Sequence, residues 1–194
     1  MQKLLFLAAT LAAALCVSAA YADGADDAPA YLGLDLGHVS VSRGSPSTGI
    51  VTRGGFIDGS SSSWSLLGGY YFTDHLGMEL GYHDYGKPAA SEQSGLGLLG
   101  CPQYFSCPQV TAETAEFLGK VEVVPQLDGI LRLGIQEWNI GSPGSTLVDK
   151  TNGTAFIYGI GVSHHFDYGL NLDITYEHSS FTTGETRIGF SYSF

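Results

Sequence analysis

Three residues near the end of the chain have the types that acyl transfer requires. His178 and Ser180 are two positions apart and Glu185 follows, so they could supply a base, a nucleophile and an acid that orients the base. The alternation of apolar and polar residues around them predicts a strand in which His178 and Ser180 share the apolar face. A histidine beside a polar link between strands gives the same pattern and is the simpler interpretation. We therefore expect no catalytic activity and keep this trio as an alternative.

The sequence contains no other motif that indicates a catalytic or cofactor site. The six histidines show no zinc-binding spacing, and the adjacent His164 and His165 would point to opposite faces of a strand. There is no phosphate-binding loop and no dinucleotide-binding fingerprint. The sequence therefore predicts neither a metal site nor a cofactor.

Charged residues occur on the polar faces of several alternating segments, where they could form ion pairs. If those faces line an enclosed interior, the charges must be paired, because an isolated buried charge is very costly. One interpretation is an ion-pair network that keeps the structure closed, and the other is a gate for water or ions. The residues expected in this network are Glu79, Lys120, Glu122, Arg132, Asp173 and Arg187, with Asp35 and Glu116 on the same faces.

The first 22 residues have the pattern of a secretory signal peptide. Lys3 precedes an apolar run at residues 4–17, and Ala20 and Ala22 provide the small residues of a cleavage site. We expect a mature chain of residues 23–194 that forms one domain.

The mature chain keeps two cysteines, Cys101 and Cys107. They are an even pair in an exported protein, so the expected state is a disulfide. Free thiols or half of a metal site are the alternatives, although no second cysteine pair or nearby histidine completes such a site.

The composition excludes several classes of protein. Lys and Arg total 8 against 19 Asp and Glu, so the chain lacks the basic excess that nucleic-acid binding requires. Hydrophobic residues make up 44% and aromatic residues 12%, which excludes a disordered chain. The 27 glycines exclude a long charged helix. Only 14% of the residues are charged, against about 25% in a typical soluble domain, and the fold must explain this shortage.

Eight segments of the mature chain alternate between apolar and polar or small residues, which is the period of a β-strand. Short turns and longer links alternate between them, and their length matches a tilted membrane-spanning strand of about 9–11 residues. This layout predicts an all-β fold, an eight-stranded antiparallel up-and-down transmembrane β-barrel. A soluble β-sandwich is the alternative, but the polar faces lack its lysine-rich solvated surface. The predicted strands are residues 31–42, 63–72, 76–85, 113–124, 129–139, 155–165, 170–178 and 186–194.

Three stretches of the sequence resemble the membrane domains of OmpA-type outer-membrane proteins. Residues 67–82, LGGYYFTDHLGMELGY, resemble the second hairpin of that family, with a Gly-Gly-Tyr strand, a short turn and a Gly-x-Glu-x-Gly-Tyr strand. Residues 131–134 followed by Trp138 resemble its fifth strand. Residues 188–194 resemble the terminal strand that the outer-membrane assembly machinery recognises. The residues of that assembly signal are Phe190, Tyr192 and Phe194.

The resemblance covers nearly the whole mature chain and implies an eight-stranded barrel in a Gram-negative outer membrane. Glu79, Lys120 and Arg132 stand where the family keeps an interior salt-bridge network, whereas Asp173 stands where the family tends to have a basic residue. Family members often continue into a periplasmic peptidoglycan-binding domain. This sequence ends at Phe194, so we do not expect cell-wall tethering.

The acyl-transfer trio is similar to the His-x-Ser arrangement of outer-membrane lipid A deacylases. Phe181 stands where those enzymes have an asparagine after the serine, and the link to Glu185 is much shorter than theirs. These departures weaken the similarity at the residues that would stabilise an oxyanion and orient the base.

We expect a structural or surface-interaction protein of the outer membrane rather than an enzyme. The expected partners are outer-membrane lipid and lipopolysaccharide, the assembly machinery through the terminal strand, and a host or other cell-surface ligand through the long outer loops. A narrow gated channel is the second hypothesis, and a lipid A acyl hydrolase is the third. The apolar, aromatic loop that contains Cys101 and Cys107 suits either a binding epitope or packing within the loop.

Overall fold

The computed structural model describes residues 30–43, 55–88, 90–92, 109–141 and 152–194. The predicted signal peptide at residues 1–22, and both Cys101 and Cys107, lie outside these ranges. Within them, no helix has the length and hydropathy needed to cross a membrane. The strands are β1 (Ala30–Arg43), β2 (Gly55–Tyr71), β3 (Leu76–Asp84), β4 (Ala90–Glu92), β5 (Val110–Val124), β6 (Leu127–Ile140), β7 (Asn152–His165), β8 (Leu170–Ser179) and β9 (Thr182–Ser193), with a short 3-10 helix at Asp167–Gly169.

Eight of these strands form a closed antiparallel barrel, which confirms the predicted fold. Consecutive barrel strands pair with each other, and β1 pairs with both β2 and β9, so the sheet closes on itself. The remaining strand, β4, is three residues long and pairs with the start of β2. Closure satisfies the backbone N–H and C=O groups of the strands within the barrel, as the hydrocarbon core of a membrane requires.

The outer wall of the barrel is apolar and its lumen is polar, because successive side chains point to opposite faces of a strand. On β1, Leu34 and Leu36 are 54% and 66% exposed, whereas Asp35 between them is buried. An apolar surface of this extent is suited to lipid and explains the shortage of charged residues. Large exposed apolar side chains on other strands include Phe117, Val121, Ile135, Phe156, Ile160 and Ile188.

The barrel has one end with tight turns, the turn end, and an opposite end, the loop end. At the turn end, short connections join β2 to β3, β5 to β6 and β7 to β8. Gln126 and Tyr168 adopt positive φ angles of 71° and 65° in two of them. The connections at the loop end include residues 44–54, 93–108 and 142–151, which lie outside the described ranges. This distribution agrees with the alternation of short and longer links in the sequence.

Most of the barrel strands extend further toward the loop end than the sequence predicts, and the extension is largest in β2 and β9. β2 begins at Gly55 rather than at residue 63, because its serine-rich first half pairs with β1, for example Ser61 with Val39. β9 begins at Thr182 rather than at residue 186, so only Ser180 and Phe181 join it to β8. Serine and glycine resemble loop residues in a sequence, but pairing with a neighbouring strand overrides this weak preference.

Candidate functional site in the barrel lumen

Seven charged side chains are buried at mid-height of the lumen, and we name them the central charge network. Its residues are Asp35, Glu79, Glu116, Arg132, Glu177, Glu185 and Arg187. They come from β1, β3, β5, β6, β8 and β9, at positions whose neighbours in the chain face outward. An eight-stranded barrel leaves an interior just wide enough for side chains to fill, so charges on opposite walls come into contact.

Two arginines organise the central charge network. Arg132 forms an ion pair with Glu79. Arg187 forms an ion pair with Glu177, and its Nε lies 3.5 Å from Oδ2 of Asp35. The Nε of Arg132 lies 3.7 Å from Oε1 of Glu177. Glu177 therefore lies between both guanidinium groups and connects the two halves of the network.

His83 is a fully buried neighbour of Arg187 that adds no positive charge. Its Nδ1 faces two donors, Nη1 of Arg187 at 3.2 Å and Oγ of Ser65 at 2.8 Å. Because a guanidinium group can only donate, this nitrogen must accept. The ring hydrogen is therefore on Nε2, which lies 3.0 Å from Oγ1 of Thr114. These hydrogen bonds fix His83 as one neutral tautomer.

The central charge network contains five carboxyl groups and two guanidinium groups, so acidic groups are in excess. Both carboxyl oxygens of Glu116 are buried without a hydrogen-bond partner, and its nearest cation is Nη1 of Arg132 at 3.9 Å. Glu185 accepts a hydrogen bond from Ser63 at 2.9 Å through Oε1, while its Oε2 has no partner. Glu185 is also the direct cross-strand neighbour of Glu177. Like charges in that position repel each other, which makes the arginines essential to the packing.

A polar cavity of about 20 Å³ lies at the turn end of the lumen, and we name it the turn-end vestibule. It has room for a water molecule. Nζ of Lys120 lies 3.2 Å from Oδ2 of Asp128 and 4.5 Å from the centre of the Tyr71 ring. Nε2 of His165 lies 2.8 Å from the same Asp128 oxygen. The lining residues are Tyr31, Tyr71, Lys120, Ile130, Arg132, Ser163, His165, Asn171, Asp173, Ser191 and Ser193. The vestibule therefore extends from the turn end to the first arginine of the central charge network.

The structure distributes the six residues of the predicted charge network over three places. Three lie in the central charge network: Glu79, Arg132 and Arg187. Lys120 and Asp173 line the turn-end vestibule, where Asp173 accepts a hydrogen bond from Ser191 at 3.0 Å. The placement of Glu122 inside the barrel is wrong, because its side chain is exposed. β5 extends beyond the lumen at the turn end, where residues 121–124 are exposed on both faces.

The alternation of the sequence did not identify two members of the central charge network, Glu177 and Glu185. Glu177 lies on the same face of β8 as Asp173 and Thr175, so the alternation, continued by one more step, predicts that it points into the lumen. Glu185 was assigned to a link between strands and to the acyl-transfer trio, but it belongs to β9 and is buried.

The structure does not bring the acyl-transfer trio together. His178 faces outward, where its ring centre lies 5.3 Å from that of Tyr158. Ser180 is exposed in the turn between β8 and β9, whereas Glu185 is buried in the lumen against Ser63. Because the barrel wall separates the histidine from the acid, Glu185 cannot orient His178 as a base. In the described ranges, no three His, Cys, Asp or Glu side chains come together as metal ligands either.

Apolar side chains fill the lumen at the loop end, and we name them the loop-end layer. Its residues are Val39, Val41, Tyr85, Val110, Ala112, Trp138, Ile140, Ala155 and Phe181. Trp138 and Phe181 stack face to face, with ring centres 4.5 Å apart and planes at 4°. Gly153 lies beneath the indole, and a Cβ at that position would collide with the ring. The pattern of the sequence does not predict this layer, because an aromatic residue near a strand end equally indicates a lipid interface.

The turn between β8 and β9 directs Phe181 into the lumen. Oγ of Ser179 accepts hydrogen bonds from the backbone N–H groups of Phe181 at 3.1 Å and Thr182 at 2.8 Å. The same hydroxyl lies 2.9 Å from Oε1 of Gln136, to which it can donate. Nε2 of Gln136 in turn donates to the Tyr85 hydroxyl. The hydrogen bonds of Ser179 and Gln136 therefore fix the turn that places Phe181 in the loop-end layer.

We expect Gly134→Ala to lower the free energy of unfolding by about 1–3 kcal/mol, the typical result of overpacking. A Cβ at Gly134 would lie 2.7 Å from Cγ and 2.8 Å from Cα of Glu116, inside the central charge network. Urea titration of the barrel in lipid vesicles measures the loss. Gly119→Ala is the matched control, because its Cβ would meet Cβ of Leu131 at an ordinary 3.8 Å. Equal losses in the two variants would contradict crowding as the cause.

The closed wall, the lipid-suited exterior and the filled lumen define a small transmembrane β-barrel. The family model for the outer membrane protein beta-barrel domain matches residues 9–194, and the chain belongs to this family. No curated protein sequence matches the chain.

Solved structures of outer-membrane barrels share the fold. The N-terminal β-barrel domain of Pseudomonas aeruginosa OprF aligns with 87% of this chain and 100% of its own at 11% identity and a TM-score of 0.59. Neisserial surface protein A aligns with 85% of this chain and 97% of its own, at 17% identity and a TM-score of 0.57. OprG from Pseudomonas aeruginosa aligns with 87% of this chain and 97% of its own, at 14% identity and a TM-score of 0.56.

These findings confirm the resemblance to OmpA-type barrels and the Gram-negative outer membrane as the location. Outer-membrane barrels have short periplasmic turns and longer extracellular loops. The turn end of this barrel is therefore periplasmic, and the loop end faces the cell exterior.

Proposed function

We propose that the protein is a closed outer-membrane barrel with a structural or surface-interaction role and no catalytic activity. The observation that carries this proposal is that side chains fill the lumen and contact one another through ion pairs and aromatic stacking. The central charge network links strands on opposite walls, and the loop-end layer stacks Trp138 on Phe181 above it. A lumen filled in this way stabilises the wall, so contacts with other molecules belong to the outer surface and the loops.

The partners that we propose match the surfaces that the barrel presents. The apolar wall contacts outer-membrane lipid, and its loop-end rim contacts lipopolysaccharide. On β9, Phe190 and Tyr192 are 56% and 53% exposed on the wall, which supports recognition of the terminal strand, with Phe194, by the assembly machinery. Residues 1–22 direct export. The extracellular loops, one of them with a Cys101–Cys107 disulfide, contact a host or cell-surface ligand.

Recordings in planar bilayers and assays on cells together test the proposed role. We expect the purified wild-type barrel to produce no channel events in KCl, because charged and apolar layers both fill its lumen. In a deletion strain, a barrel whose residues 93–108 are replaced by a short Gly-Ser turn should restore resistance to detergent as well as the wild type does. The same variant should lose attachment of the cells to an epithelial monolayer. Regular channel steps from the wild type would contradict the closed role, and unchanged attachment would contradict the role of the loop.

A narrow gated channel is the second candidate, and the turn-end vestibule is the observation that favours it. The vestibule brings a polar cavity from the periplasmic side up to Arg132, which pairs with Glu79. If the wild type conducts and Arg132→Ala abolishes its channel events, this ion pair is the gate.

A further inference from the structure

We propose that the loop-end layer, rather than the central charge network, is the water barrier of the lumen, and that opening this layer turns the barrel into a cation-conducting pore. The proposal goes beyond the closed role above, because it states which layer closes the lumen and which ions the lumen would admit.

The lumen is polar from its periplasmic end to mid-height. The turn-end vestibule has room for water and reaches Arg132. Above it, the carboxyl oxygens of Glu116 and one oxygen each of Glu177 and Glu185 are buried without a hydrogen-bond partner. Polar groups with unused hydrogen-bonding capacity favour water, so this part of the lumen offers no apolar barrier.

The loop-end layer is the part of the described lumen that is lined mainly by apolar side chains. Val39, Val41 and Val110 are at most 1% exposed, and they surround the stacked rings of Trp138 and Phe181. A constriction lined by apolar side chains closes a pore by dewetting, without any charged group. Phe181 comes from the two-residue turn between β8 and β9, and the hydroxyl of Ser179 holds that turn in place. Removing its ring opens the layer with the least disturbance to the wall.

The charges below the layer determine which ions would pass. The central charge network has five carboxyl groups against two guanidinium groups, and the neighbouring His83 is neutral. Acidic groups that line a narrow path concentrate cations and repel anions. An opened barrel should therefore select K⁺ over Cl⁻.

Single-channel recording of folded variants in planar bilayers with a KCl gradient tests the proposal. Phe181→Ala removes the ring that stacks on Trp138. The double variant Val41→Thr with Val110→Thr adds hydroxyl groups to the loop-end layer at nearly constant side-chain volume. We expect channel steps from both variants at a frequency at least tenfold above wild type, with a reversal potential that shows cation selectivity. Adding Glu116→Gln to Phe181→Ala should keep the conductance and reduce the selectivity. Arg132→Lys, which alters the ion pair with Glu79 and leaves the loop-end layer intact, should remain silent.

Phe156→Ala and Val162→Thr are the matched controls, because both side chains lie on the lipid-facing wall, 59% and 41% exposed. Both controls should be silent. Heat-modifiable migration on a gel verifies that every variant is folded. Silence from both opened variants when folded, anion selectivity, steps from Arg132→Lys or equal activity in the controls would each overturn the proposal. Conduction by the wild type would instead contradict the closed role, so the two failures are distinguishable.

Discussion

We expect Arg187→Met to lower the free energy of unfolding of the barrel by about 3–5 kcal/mol, the range for breaking a buried ion pair by removing one partner. Arg187 is 1% exposed and pairs with Glu177, with Asp35 close to its Nε. Without the guanidinium group, these two carboxyl groups and the neighbouring Glu185 would face one another at close range without the cation that pairs with them. Methionine keeps the apolar volume of the side chain, so the loss reports the charge rather than a cavity. Urea titration in lipid vesicles measures it.

Lys120→Met is the control for the loss of a single cation. Lys120 pairs with Asp128 in the turn-end vestibule, where both side chains are partly exposed, at 17% and 16%. Solvent screens such a pair, so the expected loss is about 1 kcal/mol or less. Glu177→Gln in the Arg187→Met background should recover part of the larger loss, because it removes one of the unpaired acids. If Arg187→Met and Lys120→Met lower the free energy of unfolding by similar amounts, burial does not determine how much these ion pairs contribute to stability.

We expect Trp138→Ala to lower the free energy of unfolding by about 3–5 kcal/mol, as other truncations of buried aromatic residues do. Trp138 is 4% exposed, and its indole stacks on Phe181 above Gly153. The surrounding strands belong to a closed sheet and can move little into the space left by the ring. The loss therefore includes the penalty for a cavity as well as the lost burial of the indole. Equilibrium unfolding, followed by the fluorescence of the remaining Trp64, measures it.

Phe117→Ala is the matched control on the outer wall, where Phe117 is 61% exposed. Its removal loses contact with lipid, but lipid chains are fluid and fill the space, so no cavity remains. We expect a loss of about 1–2 kcal/mol, within the transfer free energy of the side chain. If the two truncations cost the same, the loop-end layer is not packed as a solid core.

The alternation of the sequence predicted the fold and part of the site. Glu79, Arg132 and Arg187 were placed in the lumen because each lies next to an apolar, outward-facing neighbour in the chain, and the structure puts all three there. The period of two specifies the face of a strand but not the height along the barrel. Glu122 has the facing of an interior residue but is exposed, because β5 continues past the lumen.

The loop-end layer could not be predicted because its parts depend on three-dimensional closure. Trp138 has the interior facing of Arg132 and Gln136, but an aromatic residue near a strand end equally indicates a lipid interface. Phe181 lies in a turn, where periodicity carries no information about direction. Its inward position depends on the hydroxyl of Ser179, which in turn bonds to Gln136 on a distant strand.

The contact between Asp35 and Arg187 has a consequence for the order in which the barrel forms. Asp35 belongs to β1 and Arg187 to β9, the two strands whose pairing turns an open sheet into a closed one. Leu32 and Tyr192, which pair across this seam, are about 160 positions apart in the chain, so closure carries the largest loop entropy of any strand pairing in the fold. In an open sheet Asp35 would lack its guanidinium partner. The Asp35–Arg187 contact therefore forms only after β1 and β9 have paired, and it stabilises the closed barrel but not the open sheet.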